Sequence, residues 1–167
     1  MRLNSNSLCR GLFLLLTVAL CSVSCNRSII YSHYEPVDAE GWLREDTVHF
    51  EVAPPPLWHP SHNARTADSP RRTVLCLHLR TTSVYPFTDL LLRVEQHTPT
   101  RQRFDTVRLQ LSDTEGRPLG RGQGLYQHTF RLPVLPLSDA DTLRVAFSHL
   151  MQLSPLPGIT DVGLSLE

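Results

Sequence analysis

Cysteine thiols are the side chains of this sequence with the clearest chemistry, and the position of each decides what it can do. Two of the four cysteines lie within the first 24 residues. There, Arg2 and Arg10 precede an apolar run over residues 12–20, and small or neutral residues follow it. This pattern is typical of a cleaved secretory signal, because a membrane span needs roughly 20 apolar residues. Residues 1–24 are therefore predicted to be a signal peptide.

Cys25 is the thiol that this signal would deliver to the start of the mature chain. Signal peptidase II cleaves before a cysteine that already carries a diacylglyceryl group, and it requires a small residue just before that cysteine. Ser24 meets this requirement, whereas Ser22 stands where Leu or Val is usual. We predict that Cys25 is lipidated and that residues 1–24 are a lipoprotein signal peptide. The alternative is an ordinary secreted protein with a Cys25–Cys76 disulfide, which an exported compartment permits.

Other reactive patterns in the sequence are weak. The glycine-rich run over residues 120–124 lacks the preceding strand and following helix of a dinucleotide loop. His59 and His62 have no third metal ligand nearby in sequence, and Gly-x-Ser-x-Gly does not occur. His78 and His128 fall in predicted strands and are expected to be satisfied by local hydrogen bonds. We predict no catalytic residue, no metal and no cofactor, so the chain is not expected to be an enzyme.

The charge of the chain excludes further classes of function. Basic and acidic residues both number 16, and every basic residue is arginine. Loss of the two arginines of the signal leaves 14 against 16 acids, a mature charge of −2. Nucleic-acid binding needs a basic surface, so it is not expected. The lack of lysine excludes Schiff bases and lysine-dependent phosphate binding.

Seven segments alternate apolar and polar residues with period two, which predicts half-buried strands. Such strands between turn-rich segments favour an all-β fold, an antiparallel β-sandwich of about seven or eight strands, jelly-roll or immunoglobulin-like. At most one helical turn is predicted, over residues 148–153. The apolar sets are Val48, Phe50 and Val52; Leu75, Leu77 and Leu79; Leu92 and Val94; Val107, Leu109 and Leu111; Tyr126, His128, Phe130 and Leu132; Leu143, Val145 and Phe147; and Val162, Leu164 and Leu166.

The pattern divides the mature chain into a lipid-anchored tether and lead-in segment, residues 25–45, and a β-sandwich domain, residues 46–167. A proline-rich connection without periodicity covers residues 53–72, a length typical of functional or disordered loops. Trp58 within it is a candidate contact residue, or a cap on the core. Trp42, Tyr85 and Phe87 are candidates for a partner-facing aromatic cluster, with core packing as the alternative.

Several blocks of the mature chain resemble a known family in their order and spacing. They cover residues 31–34, 41–42, 46–50, 77–80, 85–90, 105–106, 119–124, Met151 and residues 158–163. Together they resemble the gliding motility lipoprotein GldH family of Bacteroidetes. The resemblance implies a non-catalytic outer-membrane lipoprotein that faces the periplasm and is associated with the gliding and type IX secretion apparatus. The proline-rich loop looks longer than in that family, and relatives occur in non-gliding species.

These observations favour an accessory or scaffold lipoprotein whose partners are the membrane, through its lipid, and envelope proteins of the gliding and secretion machinery. Residues 26–30 contain no acidic run that would signal export to the surface, so the periplasmic side of the outer membrane is predicted. The runner-up is a lipid-anchored glycan-binding sandwich, which needs a groove lined by exposed aromatic rings. An envelope enzyme is third and needs carboxylates that converge in a cleft.

Overall fold

The computed structural model describes residues 29–53, 73–137 and 141–167, and these residues contain strands, turns and no helix. None of the described residues therefore belongs to a helix that could cross a membrane. The strands are β1 (Tyr31–Pro36), β2 (Val48–Val52), β3 (Leu75–Thr82), β4 (Asp89–His97), β5 (Gln102–Gln110), β6 (Leu125–Leu132), β7 (Leu143–His149) and β8 (Ile159–Leu166).

Two four-stranded sheets form the sandwich, with the orders β1-β8-β3-β6 and β2-β7-β4-β5. All neighbouring strands are antiparallel. Consecutive strands lie in opposite sheets except β4 and β5, which form a hairpin. This arrangement is a jelly roll, so the sandwich predicted from the alternation is confirmed and the jelly-roll version is the one that forms.

The alternating apolar residues explain why these segments are strands and where the core lies. Each of the seven predicted sets falls in one of the strands β2 to β8 or directly after one, so those strand predictions are confirmed. Leu75, Leu77 and Leu79 on β3 are fully buried, as is Phe147 on β7. Burial of one such side chain stabilises the fold by roughly 1.5–3 kcal/mol, which is why alternation fixes the inward face.

Strand β1 was not predicted, because its sequence lacks the alternation. Its burial pattern follows no period of two, and His33 and Glu35 are its polar members. Strand β8 holds it in place through a six-residue register that runs from Tyr31 to Pro36. The sandwich therefore begins before residue 46, and part of the segment predicted as a tether is an edge strand. Residues 1–28, which include Cys25, lie outside the described residues.

The helical turn predicted over residues 148–153 is wrong. Ser148 and His149 complete β7, and the Leu150 amide then donates to the Leu91 carbonyl at 2.8 Å. The Leu91 amide donates to the Met151 sulfur at 3.3 Å. Contacts with β4 therefore keep the segment non-helical, because a helical turn would need its amides for local hydrogen bonds.

Candidate functional site

The strand registers give the sandwich two distinct ends. At one end, the connections 37–47, 83–88, 111–124 and 150–158 come together, and we call this the loop end. At the other end lie residues 29–30, the turn 98–101 and Glu167, and we call this the terminal end. The Ile30 amide donates to Leu166 at 2.8 Å there, so the chain enters the sandwich beside the place where it leaves.

Trp42 lies at the loop end, where it closes the core. Its side chain is 1% exposed and its indole Nε1 donates to the Asp46 carbonyl at 3.0 Å. Its backbone exchanges two hydrogen bonds with Leu156, at 2.9 and 2.7 Å. A side chain buried this deeply does not face a partner, so Trp42 follows the core-packing alternative.

His149 packs against Trp42 and is a residue that sequence reasoning missed. It is fully buried, and its ring meets the indole edge-on at a centroid distance of 5.5 Å. The Trp42 carbonyl can only accept, so His149 Nε2 carries a proton and donates to it at 2.9 Å. The Nδ1 atom has no hydrogen-bond partner among the described residues. Burial lowers the pKa of His149, so the ring is neutral near pH 7.

Arg44 ties two of the loops together. Its Nη2 donates to the Met151 and Gln152 carbonyls at 2.6 and 2.5 Å, and its amide donates to Ser154 Oγ at 3.0 Å. These bonds span more than 100 residues of sequence, so no local pattern announces them. They fix the connection 150–158 against the segment that carries Trp42.

Tyr85 and Phe87 lie on the connection 83–88 of the same end. Tyr85 is half-buried, and its hydroxyl donates to the Asp89 carbonyl at 2.7 Å. Burial is the main reason that the pKa of Tyr85 is raised. Gly158 lies against its backbone: a Cβ there would come within 2.3 Å of the Tyr85 amide nitrogen, and its φ of +83° also favours glycine. Phe87 is edge-on to Tyr85 at 5.9 Å and remains 36% exposed.

An acidic cavity opens beside Trp42, between the end of β1 and the start of β2. Its volume is about 250 Å³, and its lining includes Glu35, Asp38, Asp46, His49 and Trp42. Glu35 contacts His33 at 2.9 Å, and Asp38 Oδ1 accepts the Glu40 amide at 2.8 Å. The signal for this feature is readable in the sequence as five acids and one arginine over residues 35–46. Most of that segment lies in the predicted tether and lead-in segment, for which no binding site was predicted.

A second polar cluster lies on the outer face of the first sheet. His78 contacts Ser165 Oγ at 2.8 Å through Nε2 and Thr129 Oγ1 at 3.0 Å through Nδ1. Ser165 is only 3% exposed. In a serine–histidine–acid triad a carboxylate orients the histidine ring, whereas here the Thr129 hydroxyl takes that position. On the inner face of the same sheet, His128 Nε2 contacts Thr81 Oγ1 at 3.1 Å. Both histidines are satisfied by neighbouring strands, as predicted, and burial lowers the pKa of each.

The structure thus brings Trp42, Tyr85 and Phe87 to one end, with Trp42 buried, Tyr85 half-buried and Phe87 exposed. The predictions for Cys25, Trp58, His59 and His62 lie outside the described residues. Cys76 is buried on β3, and burial raises the pKa of its thiol. Among the described residues, no three His, Cys, Asp or Glu side chains are placed to hold a metal ion.

Comparison with known proteins places this architecture in context. The family described as GldH lipoprotein matches residues 29–166, which include every strand of the sandwich. The gliding motility lipoprotein GldH of Flavobacterium johnsoniae is 28% identical over 162 residues, which cover 92% of this chain and 94% of that protein. No solved structure matches.

Proposed function

Because the chain belongs to the GldH lipoprotein family, we propose that it is an outer-membrane lipoprotein that acts, without catalysis, as an accessory or scaffold component of the gliding motility and type IX secretion machinery. Its sandwich faces the periplasm, and a lipid on Cys25 holds it at the membrane. The observation that carries this proposal is the family match, since it runs over the whole sandwich and the related protein of Flavobacterium johnsoniae is a gliding motility lipoprotein.

The physical consequence of the anchor is a high local concentration beside other envelope proteins. Each buried CH₂ of the lipid contributes about 0.8 kcal/mol, and a single acyl chain gives only reversible binding, so a lipid with two or three chains is needed. The chain from Cys25 to Ile30 takes five residue-to-residue steps and reaches at most about 18 Å. This tether therefore keeps the terminal end within about 18 Å of the bilayer. Strand β3, with eight residues, is about 26 Å long, so an upright sandwich holds the loop end away from the bilayer.

The glycan-binding alternative needs exposed rings gathered in a groove. The indole that lines the acidic cavity is 1% exposed, and the exposed rings of Phe87 and Phe104 lie apart, on the connection 83–88 and on β5. The envelope-enzyme alternative needs carboxylates that converge in a cleft. Glu35, Asp38 and Asp46 line the acidic cavity, but Glu35 is paired with His33 and Asp38 accepts the Glu40 amide, so two of the three have structural contacts. Ser165, beside His78, is 3% exposed. These positions favour an accessory or scaffold protein held at the membrane over a glycan-binding protein or an enzyme.

Substitution of single cysteines tests the anchor. In the source organism, Cys25→Ala should release the protein from the outer-membrane fraction and impair colony spreading and secretion of type IX cargo. Cys21→Ala is the matched control within the signal, since bulky Leu20 before it makes it a poor lipidation site, and it should change neither measurement. Mass spectrometry of the N-terminal peptide should find the lipid on Cys25.

Two results would count against this proposal. If Cys76→Ala and Cys25→Ala both alter the mobility of the non-reduced protein and neither alters its membrane fraction, the secreted disulfide form is the correct one. If Cys25→Ala releases the protein while spreading and secretion stay normal, the anchor exists but the assignment to the machinery fails.

A further inference from the structure

The loop end exposes apolar side chains that are not part of the core. Val84 is 65% exposed, Leu153 is 42% exposed and Phe87 is 36% exposed. They lie on the connections 83–88 and 150–158, which pack together where Gly158 meets Tyr85, and we call these three residues the apolar patch. Exposed apolar side chains gathered on one surface are typical of interaction sites, whereas single scattered ones need no explanation.

The loops under the apolar patch are held by contacts with distant parts of the chain. The Thr82 amide donates to the Gly158 carbonyl at 2.8 Å, and Gly158 also lies against the backbone of Tyr85. Arg44 fixes the carbonyls of Met151 and Gln152, directly before Leu153. A surface that is already ordered loses less conformational entropy when it binds, so this frame is suited to recognition.

The connection 37–47 at the same end, with the end of β1, is strongly negative in charge. Residues 35–46 contain five carboxylates, and their single arginine, Arg44, directs its Nη2 at two carbonyls of the connection 150–158. Three of the carboxylates, on Glu35, Asp38 and Asp46, line the cavity of about 250 Å³. Such a cavity has room for several waters at about 30 Å³ each, and therefore for the head of a basic side chain.

We propose that the loop end docks a segment of an envelope protein in which a basic side chain is flanked by apolar ones. The basic group enters the acidic cavity, where the planar fork of an arginine matches paired carboxylates, and the apolar neighbours cover Val84, Phe87 and Leu153. The proposal rests on the proposed function for its orientation, because an anchor at the terminal end leaves the loop end free.

A second copy of this chain is a poorer occupant of the same surface. A two-fold interface places the same patch on both partners, so residues 35–46 would face themselves with five acids against one arginine on each side. Like charges brought together in this way oppose association. Complementary charge on a different protein instead steers the encounter and fixes its register.

The test uses the full lipidated chain in phosphatidylcholine vesicles and a fluorescent 12-residue peptide of alternating arginine and leucine as the probe. Matched peptides replace every arginine by glutamate, or every leucine by serine, and fluorescence anisotropy measures binding. We expect the arginine–leucine peptide to bind and both matched peptides to bind on the order of tenfold more weakly or not at all.

Variants of the protein locate the site. The double variant Asp38→Asn/Asp46→Asn should weaken binding of the peptide on the order of tenfold, and Val84→Ser should weaken it several-fold. Asparagine keeps the side-chain acceptor that Asp38 offers to the Glu40 amide, and Val84 is exposed, so both variants should keep the fold. Glu51→Gln is the control, because Glu51 is an exposed carboxylate on β2 that pairs with Arg144 at 3.2 Å. Its affinity should be unchanged.

Three results would overturn the proposal. The first is equal affinity of all these variants, the second is a loss of affinity in the charge variants with none in Val84→Ser, and the third is a dimer in sedimentation that Val84→Ser dissolves. Repeating the titration with soluble Cys25→Ala chain separates this proposal from the anchor. Unchanged affinity there supports docking even if the lipidation proposal fails.

Discussion

The two ends of the sandwich close the core between the two sheets in different ways. At the terminal end the sheet ladders run to the last residues: Glu167 and Val74 exchange hydrogen bonds at 2.8 and 3.0 Å. At the loop end, side chains from distant segments hold the loops, through Trp42, Arg44 and His149. The terminal end leaves Ile29 and Ile30 exposed, and the loop end leaves Val84 and Leu153 exposed. The terminal end is thus closed by backbone pairing, and the loop end by side-chain contacts between distant segments.

The largest effect should follow removal of the indole that closes the loop end. Trp42→Ala should lower the free energy of unfolding by about 3–5 kcal/mol, because it leaves a large cavity in the core and removes the bond to Asp46. Urea unfolding measures this change. Phe104→Ala is the control on an exposed ring and should stay within about 0.5 kcal/mol of the parent protein. Equal, small losses in both variants would show that Trp42 does not pack in the core.

The terminal end should respond most to Gln96. Its side chain is 1% exposed, donates to the Pro133 carbonyl at 2.7 Å and accepts the Leu135 amide at 3.0 Å. Gln96→Ala should cost about 1–3 kcal/mol, because it leaves these two backbone groups without partners. The exposed Gln102 offers a matched control, since Gln102→Ala removes an amide of the same kind without unpairing buried groups. Gln96→Ala should raise amide hydrogen exchange at the terminal end. If exchange rises at the loop end instead, the two ends do not open independently.

Acid should destabilise the sandwich through three histidines, of which His149 lies at the loop end. Burial lowers the pKa of His78, His128 and His149 below the ordinary value of 6.5. The unfolded chain therefore takes up protons at a higher pH than the folded chain. The free energy of unfolding is highest above pH 6.5, and it falls as the pH drops from 6.5 towards the lowered pKa values of the folded chain. Urea unfolding between pH 7.5 and 5 measures the loss.

His149→Gln sharpens this prediction, because glutamine can donate to the Trp42 carbonyl but does not titrate. The pH dependence should flatten, and the amides of residues 41–46 and 150–156 should stay protected in acid. The same slope in both proteins would assign the effect to other groups.

The smallest effect on global stability should come from Arg44, which is exposed and whose contacts are to backbone carbonyls. Arg44→Lys keeps the charge but loses the fork, so the amides of residues 150–156 should exchange faster while the urea midpoint changes little. Arg108→Lys, at an exposed arginine on β5, is the control. A fall in the urea midpoint as large as that of Gln96→Ala would mean that the loops are part of the cooperative core.

The sequence predicts the strands of this fold better than it predicts the ends. Alternation identifies β2 to β8 because one inward face must be apolar, and that constraint acts residue by residue. Strand β1 was not predicted because it is defined by its pairing with β8 and its own sequence has no alternating apolar pattern. The burial of Trp42 follows from contacts with Leu156 and His149, more than 100 residues away, so it cannot be read from its neighbours.

The charge of the acidic cavity was predictable and its shape was not. Five acids over residues 35–46 are visible in the sequence, but they become a lining only because β1 ends beside the start of β2. The three aromatic candidates Trp42, Tyr85 and Phe87 all lie at the loop end. Which of them faces outward depends on packing that only the assembled sheets define.

The most direct test of the account is a depth measurement on the lipidated chain in vesicles. A spin label is placed at Val84 on the loop end or at the exposed Thr100 in the turn 98–101 of the terminal end, and a lipid-soluble relaxation agent reports proximity to the bilayer. The account predicts strong relaxation at Thr100 and almost none at Val84. Stronger relaxation at Val84 than at Thr100 would contradict it, because the loop end would then lie against the membrane and could not receive a partner.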